Sequence, residues 1–136
     1  MTTSTQIQLA SRPRRWPTHE NFRTARVDLP GLSEGEVRVA NEFVSVDPYM
    51  RGRMSAGRSY IQPFEVGETM TGGAVGRVVE SRSDAHPVGA VVLHDLGWRD
   101  IAQGTARQFR VVEEIDGVSI FAYLGVLGLT GLTAYV

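Results

Sequence analysis

The chain has 136 residues, enough for one domain with its own core, and a net charge of −1 that favours neither nucleic acid nor a membrane surface as a partner. It contains no cysteine, which excludes disulfides, cysteine zinc sites and thiol catalysis and fits a reducing cytoplasm. All 14 basic residues are arginines, so Schiff-base chemistry and a lysine-containing P-loop are excluded as well. No long apolar stretch precedes a cleavage site near the N-terminus, so no signal peptide is expected.

The first third of the chain predicts three strands. A short one covers Ile7–Ala10, and a second, Arg23–Leu29, alternates apolar and polar residues as a half-buried strand does. The longest candidate, Glu36–Val46, changes the parity of its apolar positions part of the way along. That change predicts a β-bulge at Asn41–Phe43.

The second half of the chain predicts further strands and a closing helix. The strand candidates are Ala74–Ser81, Gly89–Leu96 and Thr105–Val112, separated by turns rich in glycine, proline and aspartate. Ser119 is predicted to cap a helix that continues to Val136. Several short strands between frequent turns indicate a mainly β fold, an antiparallel barrel or sandwich.

The end of the chain, from Ile120 to Val136, carries no charge. It is marginal in length for a bilayer span, and a bare apolar helix would expose a large patch to water. We therefore expect something to cover it, either a partner chain or a continuation of the polypeptide. The uncharged run favours the second alternative, in which the chain is a fragment.

The stretch "SVDPYMRGRM" (residues 45–54) follows the longest strand. Asp47 is a good N-cap and Pro48 suits a first helical turn, so a short helix is predicted after the strand. An aromatic and an apolar side chain, Tyr49 and Met50, then stand beside two arginines, a combination that suits the wall of a cleft. The arginines could bind an anionic ligand or make ordinary ion pairs, and the sequence leaves both open.

Tyr60 lies in a long loop with glycines on both sides. A phenol with a pKa near ~10 is a proton donor at neutral pH, so Tyr60 could stabilise an oxyanion or protonate an enolate. The alternative is a tyrosine that packs under its own loop and hydrogen-bonds the backbone.

Two other candidate motifs are interpreted as structural. "TGGAVGRVVES" has the wrong glycine spacing for a dinucleotide fingerprint and leads into a strand, so Gly72, Gly73 and Gly76 are predicted to allow a tight turn and close backbone approach. The histidines share no metal-ligand spacing, and none is predicted to bind metal; they are His19, His86 and His94.

Four stretches, taken in order, carry a family resemblance: "SVDPYMRGRM", "GGAVGRVVES", "GWRDIA" and "LGVLGLTGLTAYV". They resemble the N-terminal part of the medium-chain dehydrogenase/reductase superfamily. Within it the chain is similar to the zinc-independent, NADPH-dependent branch of leukotriene B4 12-hydroxydehydrogenase/prostaglandin reductases, plant alkenal double-bond reductases and bacterial curcumin reductase. The early "RPRRWPTHENFR" is similar to the corresponding stretch of that branch.

The resemblance implies a GroES-like substrate-side domain over residues 1–118 and the start of a linking helix over 119–136. The nucleotide-binding Rossmann half of such an enzyme is absent from this chain, so the chain alone is expected to be inactive. The implied reaction is reduction by NADPH, without zinc, of an activated C=C bond in an α,β-unsaturated carbonyl compound or a quinone. The resemblance also implies that the full-length enzyme can form a homodimer.

The resemblance also assigns roles to residues. Tyr49 is implied to face the cleft near the nicotinamide, with Pro48 and Met50 beside it. Thr133, in the linking helix, is implied to lie near the nicotinamide ring. Tyr60 is implied to face the substrate, so either Tyr49 or Tyr60 is the expected proton donor.

Two other functions remain open from the residues alone. The first is a free-standing GroES-like module that binds a partner through its apolar C-terminal helix and catalyses nothing. The second is a small-molecule-binding barrel that uses Tyr49, Tyr60 and the neighbouring arginines.

Overall fold

The computed structural model of the chain describes residues 2–56 and 62–125. The strands in these residues are β1 (Thr2–Leu9), β2 (Phe22–Leu29), β3 (Glu36–Val44), β4 (Ala74–Ser81), β5 (Val91–His94), β6 (Ile101–Thr105) and β7 (Arg110–Val111). A short helix, α1 (Tyr49–Arg53), follows β3, and 3-10 turns cover His19–Asn21, Ala106–Gln108 and Ile120–Leu124. The strands form two antiparallel sheets, β1-β2 and β6-β3-β4-β5-β7. The predicted mainly β, antiparallel fold class is confirmed.

Alternation of side chains predicted the central strands well. β4 has the predicted bounds, and β2 begins only one residue earlier than predicted. The pairing of β3 with β4 changes register between Asn41 and Phe43, which confirms the predicted bulge, and a second shift occurs between Arg38 and Val39. β1 is longer than predicted because its polar N-terminal half also pairs with β2, from Thr2 opposite Leu29 onwards.

The prediction of one strand over Thr105–Val112 is wrong. β6 ends at Thr105, whose backbone N–H donates to the Gln108 side chain at 3.0 Å, and a 3-10 turn follows. This capping arrangement turns the chain and buries Phe109 before the short β7 begins. The capping pair was present in the sequence, but the apolar residues on either side of it gave the stronger strand signal.

The strands of the described ranges do not close into a continuous ring. The β1-β2 ribbon joins the rest of the molecule through the isolated bridges Gln6–Arg99 and Gln8–Thr69, and a third bridge links Gly72 with Leu96. The Ile7 N–H also donates to the Trp98 carbonyl at 2.8 Å. The predicted barrel is therefore a partly open one, in which loops complete the wall.

Close approach of β3 and β4 depends on Gly76. A Cβ atom at this position would lie well under 3.0 Å from the Ala40 carbonyl oxygen and within 3.0 Å of the Asn41 Cα. The predicted structural role of Gly76 is thus confirmed. Next to this contact lies the main apolar cluster of the large sheet, formed by Val37, Val39, Val78, Val92, Ala102 and Phe109.

Ser119 caps the closing turn as predicted, because its side-chain oxygen accepts a hydrogen bond from the Phe121 N–H at 3.2 Å. The turn it caps, Ile120–Leu124, is a 3-10 turn and not the predicted α-helix. The rest of the predicted helix, residues 126–136, lies outside the described residues. Within 2–56 and 62–125, no helix has the length and apolar character needed to cross a bilayer.

Candidate active site

The candidate site lies where β3 runs into α1. The predicted N-cap, Asp47, does not cap α1: Pro48 occupies the cap position, and no side chain bonds there. The Asp47 carboxylate instead accepts a hydrogen bond from the Ser45 hydroxyl at 2.8 Å, while its carbonyl accepts from the Met50 N–H at 3.0 Å. Asp47 therefore fixes the bend between strand and helix, and this bend places Tyr49 at the start of α1.

Tyr49 is 44% exposed, although it begins a helix whose next residue is buried. Partial desolvation raises the pKa of its phenol, the nearby carboxylates of Asp95 and Asp47 raise it further, and Arg53 opposes the rise. The phenol is therefore fully protonated at neutral pH. An exposed, protonated phenol at a fixed position can donate a hydrogen bond to an oxygen that gains negative charge.

Pro48 and Met50 flank Tyr49 but occupy different environments. Pro48 is exposed beside the phenol. The Met50 side chain is 1% exposed and packs in a buried cluster with Leu9 and Met70. Met50 therefore belongs to the buried core next to the site. Its implied contact with a cofactor remains a prediction.

The absence of a side chain at Gly72 leaves room for the buried Met50 side chain. A Cβ atom at Gly72 would overlap the Met50 methyl group and would lie 3.6 Å from the Trp98 indole nitrogen. The Gly72 N–H donates to the Asp95 carbonyl at 3.0 Å, and its own carbonyl accepts from the Gly97 N–H at 2.9 Å. The predicted close approach at Gly72 is confirmed, and it fixes the segment that carries Asp95 opposite α1.

The two arginines of α1 make hydrogen bonds to other parts of the chain. Arg51 donates to the backbone carbonyls of Arg15 and Pro13 at 3.0 and 3.1 Å and to the Ser55 hydroxyl at 2.9 Å. Neither Arg51 nor Arg53 is among the ion pairs of the described residues. Arg51 therefore fastens the arginine-rich N-terminal loop to α1, and the hypothesis that its fork binds a ligand is not supported.

Arg53 lies one helical turn after Tyr49. Its Nε donates to the Gln62 carbonyl at 2.8 Å, and its Nη1 donates to the Thr71 hydroxyl at 3.3 Å. The guanidinium carbon also lies 4.2 Å from the centre of the Phe64 ring, a cation–π contact. Arg53 thus ties α1 to two segments that are distant from it in the sequence.

A groove of about 460 Å³ lies beside the end of β3. Its lining residues are Thr5, Ile7, Asn41, Glu42, Phe43, Val44, Trp98, Arg99 and Asp100. Trp98 has a positive φ of 58°, and its buried indole N–H has no hydrogen-bond partner in the described residues. This groove was not predictable from the sequence, because its lining comes from segments far apart in the chain.

A buried histidine organises the groove. His94 Nε2 and Asn41 Oδ1 are 2.7 Å apart, and His94 Nδ1 accepts from the Leu96 N–H at 3.0 Å. The Asn41 amide nitrogen in turn donates to the carbonyls of Leu96 and Arg99 at 3.1 and 2.9 Å. Because Nδ1 accepts, the ring is neutral and carries its proton on Nε2.

Acidification is expected to weaken the fold through His94. Burial, with a smaller effect of Arg99, lowers the pKa of His94 from 6.5 to about 4. The unfolded chain therefore binds a proton first as the pH falls, so the stabilisation is complete above about pH 6.5 and is lost towards about pH 4. The full loss is about 3 kcal/mol.

The measurement is urea unfolding of the wild-type chain, His94→Gln and a control, His19→Gln, between pH 7 and 4. We expect the free energy of unfolding to fall with pH equally in the wild type and in the control, which is changed at an exposed position. In His94→Gln it should fall less steeply. Equal slopes in all three proteins would contradict the assignment of this pH dependence to His94.

Two predicted site residues lie outside the described residues, namely Tyr60 and Thr133. Within the described ranges, no group of histidine, aspartate and glutamate side chains is arranged to hold a metal ion. The structure adds Asp95 and Arg53 to the predicted Tyr49. Arg53 was visible in the sequence as the (i, i+4) neighbour of Tyr49 on a predicted helix, whereas Asp95 reaches the site only through the fold.

Comparison with known proteins identifies the family of this antiparallel β domain. The chain belongs to that family, described as the N-terminal domain of oxidoreductase, whose model matches residues 5–112. This membership confirms the resemblance seen in the sequence.

Among curated relatives, the chain is 41% identical over 127 residues to the NADPH-dependent curcumin reductase of Escherichia coli, covering 93% of this chain and 36% of the relative. It is 40% identical over 121 residues to prostaglandin reductase 1 of Oryctolagus cuniculus, covering 88% of this chain and 33% of the relative. The chain thus spans only about a third of the length of these relatives.

Among solved structures, the chain superposes on CurA from Vibrio vulnificus with a TM-score of 0.89 and 39% identity, covering 98% of this chain and 39% of CurA. CurA has also been solved in complex with NADPH, and that structure matches with a TM-score of 0.87. The superposition confirms the GroES-like fold.

Proposed function

We propose that the chain forms the substrate side of an NADPH-dependent oxidoreductase that reduces an activated C=C bond in an enone, an enal or a quinone-like compound. The observation that carries the proposal is the half-exposed Tyr49 phenol at the end of β3, in a chain 41% identical over 127 residues to an NADPH-dependent curcumin reductase. Further polypeptide is then required to bind most of the cofactor. A homodimer of the complete enzyme and a cytoplasmic location are further expectations.

The surface next to Tyr49 fits the nicotinamide end of NADPH. Val46 is 70% exposed, and it and the exposed residues Pro48 and Tyr49 have uncharged side chains against which a flat ring can lie. The neighbouring cations, Arg51 and Arg53, already donate to backbone carbonyls. This face therefore suits the ring and not the phosphates, which we assign to the missing nucleotide-binding half.

When bound, NADPH supplies a hydride to the β-carbon of the substrate, and negative charge then develops on the carbonyl oxygen. The Tyr49 phenol donates a hydrogen bond to that oxygen and stabilises the enolate. A proton derived from solvent then binds to the α-carbon. Together with the hydride it completes the addition of two electrons and two protons across the double bond. Tyr60 is the alternative donor, and Thr133 remains a predicted neighbour of the nicotinamide.

The proposal is tested by joining this chain to the nucleotide-binding domain of the E. coli curcumin reductase, in place of that enzyme's own N-terminal domain. We expect NADPH oxidation that requires an enone, with curcumin, a simple enal and a quinone as the substrate panel. The 136-residue chain alone, as the control, should give no turnover. A folded chimera that binds NADPH but reduces none of the panel would contradict the proposal and favour the non-catalytic binding module.

A further inference from the structure

We propose that Arg53 is a positioning residue of the candidate site, which holds α1 in place and sets a fixed positive charge beside the Tyr49 phenol and Asp95. This inference rests on the proposed function and deepens it. It assigns to the site an electrostatic preference for substrates whose carbonyl oxygen becomes anionic during the reaction.

The contacts of Arg53 show why its charge is fixed. The guanidinium is held from three directions, by the Gln62 carbonyl at 2.8 Å, the Thr71 hydroxyl at 3.3 Å and the Phe64 ring at 4.2 Å. In return, the Phe64 N–H donates to the Arg53 carbonyl at 2.7 Å. A side chain restrained in this way has already lost its rotamer freedom, so its charge keeps its position during a reaction.

The same contacts bring together the walls of the site. Tyr49 and Arg53 are one turn apart on α1 and therefore lie on the same side of the helix. Thr71 precedes Gly72, whose N–H donates to the Asp95 carbonyl at 3.0 Å. Arg53 thus links the tyrosine-bearing helix to the segment that fixes Asp95.

Arg53 counteracts the negative charges near Tyr49. The carboxylates of Asp47 and Asp95 both raise the pKa of the Tyr49 phenol, and Arg53 is the cation that opposes them. Arg53 likewise opposes the rise that desolvation causes in the pKa of Asp95. Arg53 therefore offsets the negative charge of these two carboxylates, which would otherwise disfavour an enolate oxygen next to Tyr49.

The electrostatic part of the proposal can be tested on the 136-residue chain itself. The ionised fraction of Tyr49 is measured by NMR of ring-labelled tyrosine at pH 10.5, with Tyr49→Phe to assign the signal and circular dichroism to verify folding. We expect Arg53→Met to lower the ionised fraction, Arg53→Lys to keep it near the wild-type value, and Asp95→Asn to raise it. Arg26→Met, at an exposed position on β2, is the matched control and should leave it unchanged.

The positioning part is tested by kinetics in the chimera. We expect Arg53→Met to lower kcat about tenfold or more with KM within about threefold, because a misplaced catalytic group slows chemistry more than binding. Arg53→Lys retains the charge but loses the planar fork, and we expect a several-fold lower kcat with the same KM. Arg26→Met should match the wild type.

An unchanged Tyr49 ionisation in folded Arg53→Met would overturn the inference. If Arg53→Met does not fold, Arg53→Lys still decides, because wild-type kcat and KM in that variant would show that the fork positions nothing. Failure of the proposed function has a different signature. In that case the unmodified chimera has no turnover, while the ionisation of Tyr49 still responds to Arg53.

Discussion

Replacing Tyr49 with phenylalanine is expected to lower the kcat of an enzyme built on this domain by about a hundredfold, with KM within about threefold. The substitution keeps the aromatic ring but removes the hydroxyl that we propose stabilises the enolate oxygen. The lost hydrogen bond exists mainly in the transition state, so kcat falls and substrate binding does not.

The measurement is steady-state NADPH oxidation by the chimera with a saturating enone. Tyr123→Phe is the matched control, because the Tyr123 hydroxyl donates to the Glu113 carbonyl on an exposed part of the surface. If Tyr49→Phe keeps wild-type kcat while Tyr60→Phe loses activity, Tyr60 and not Tyr49 stabilises the enolate oxygen, and our assignment is wrong.

Replacing Gly76 with valine is expected to destabilise the fold by about 3 kcal/mol or more, because the new side chain must enter space occupied by backbone. Even a single Cβ atom at this position would collide with the Ala40 carbonyl oxygen and crowd the Asn41 Cα. These atoms belong to β3, which cannot move away without breaking its pairing with β4 at the bulge. The same movement would displace the strand end that leads to Tyr49.

Urea unfolding of the chain measures this effect. Gly31→Val is the control, because a Cβ atom at Gly31 meets nothing within 4 Å, and its stability should stay within about 0.5 kcal/mol of the wild type. A Gly76→Val chain as stable as this control would contradict the close approach of β3 and β4.

The parts of the fold that the sequence predicted are those determined by local alternation. β4 and the bulge in β3 follow from which side of a strand each apolar residue faces, a property visible within a few residues. The error over Thr105–Val112 has the same origin, because a local capping pair competed with a strong apolar pattern. The partly open form of the barrel could not be predicted, since the β1-β2 ribbon joins the rest through isolated bridges between distant segments such as Gln6 and Arg99.

In the candidate site, too, local features were predicted from the sequence and contacts between distant segments were not. Tyr49 was predicted to line a cleft because an aromatic and an apolar residue stand beside two arginines at a strand end, and its role near the nicotinamide came from the family resemblance. The roles of Arg51 and Arg53 were not, because their partners are backbone carbonyls at Pro13, Arg15 and Gln62, which the sequence does not mark as acceptors. An arginine near a site suggests an anionic ligand, and only the fold shows that these guanidinium groups are already hydrogen-bonded.

The most direct test of the central claim is isotope transfer in the chimera. The enzyme is supplied with an enone and with NADPH that carries deuterium at both C4 positions of the nicotinamide, and the product is examined by mass spectrometry and NMR. Our account predicts a saturated ketone with one deuterium at the β-carbon and a solvent-derived proton at the α-carbon. Deuterium on the carbonyl carbon, or a product without deuterium, would contradict reduction of the C=C bond at the site built around Tyr49.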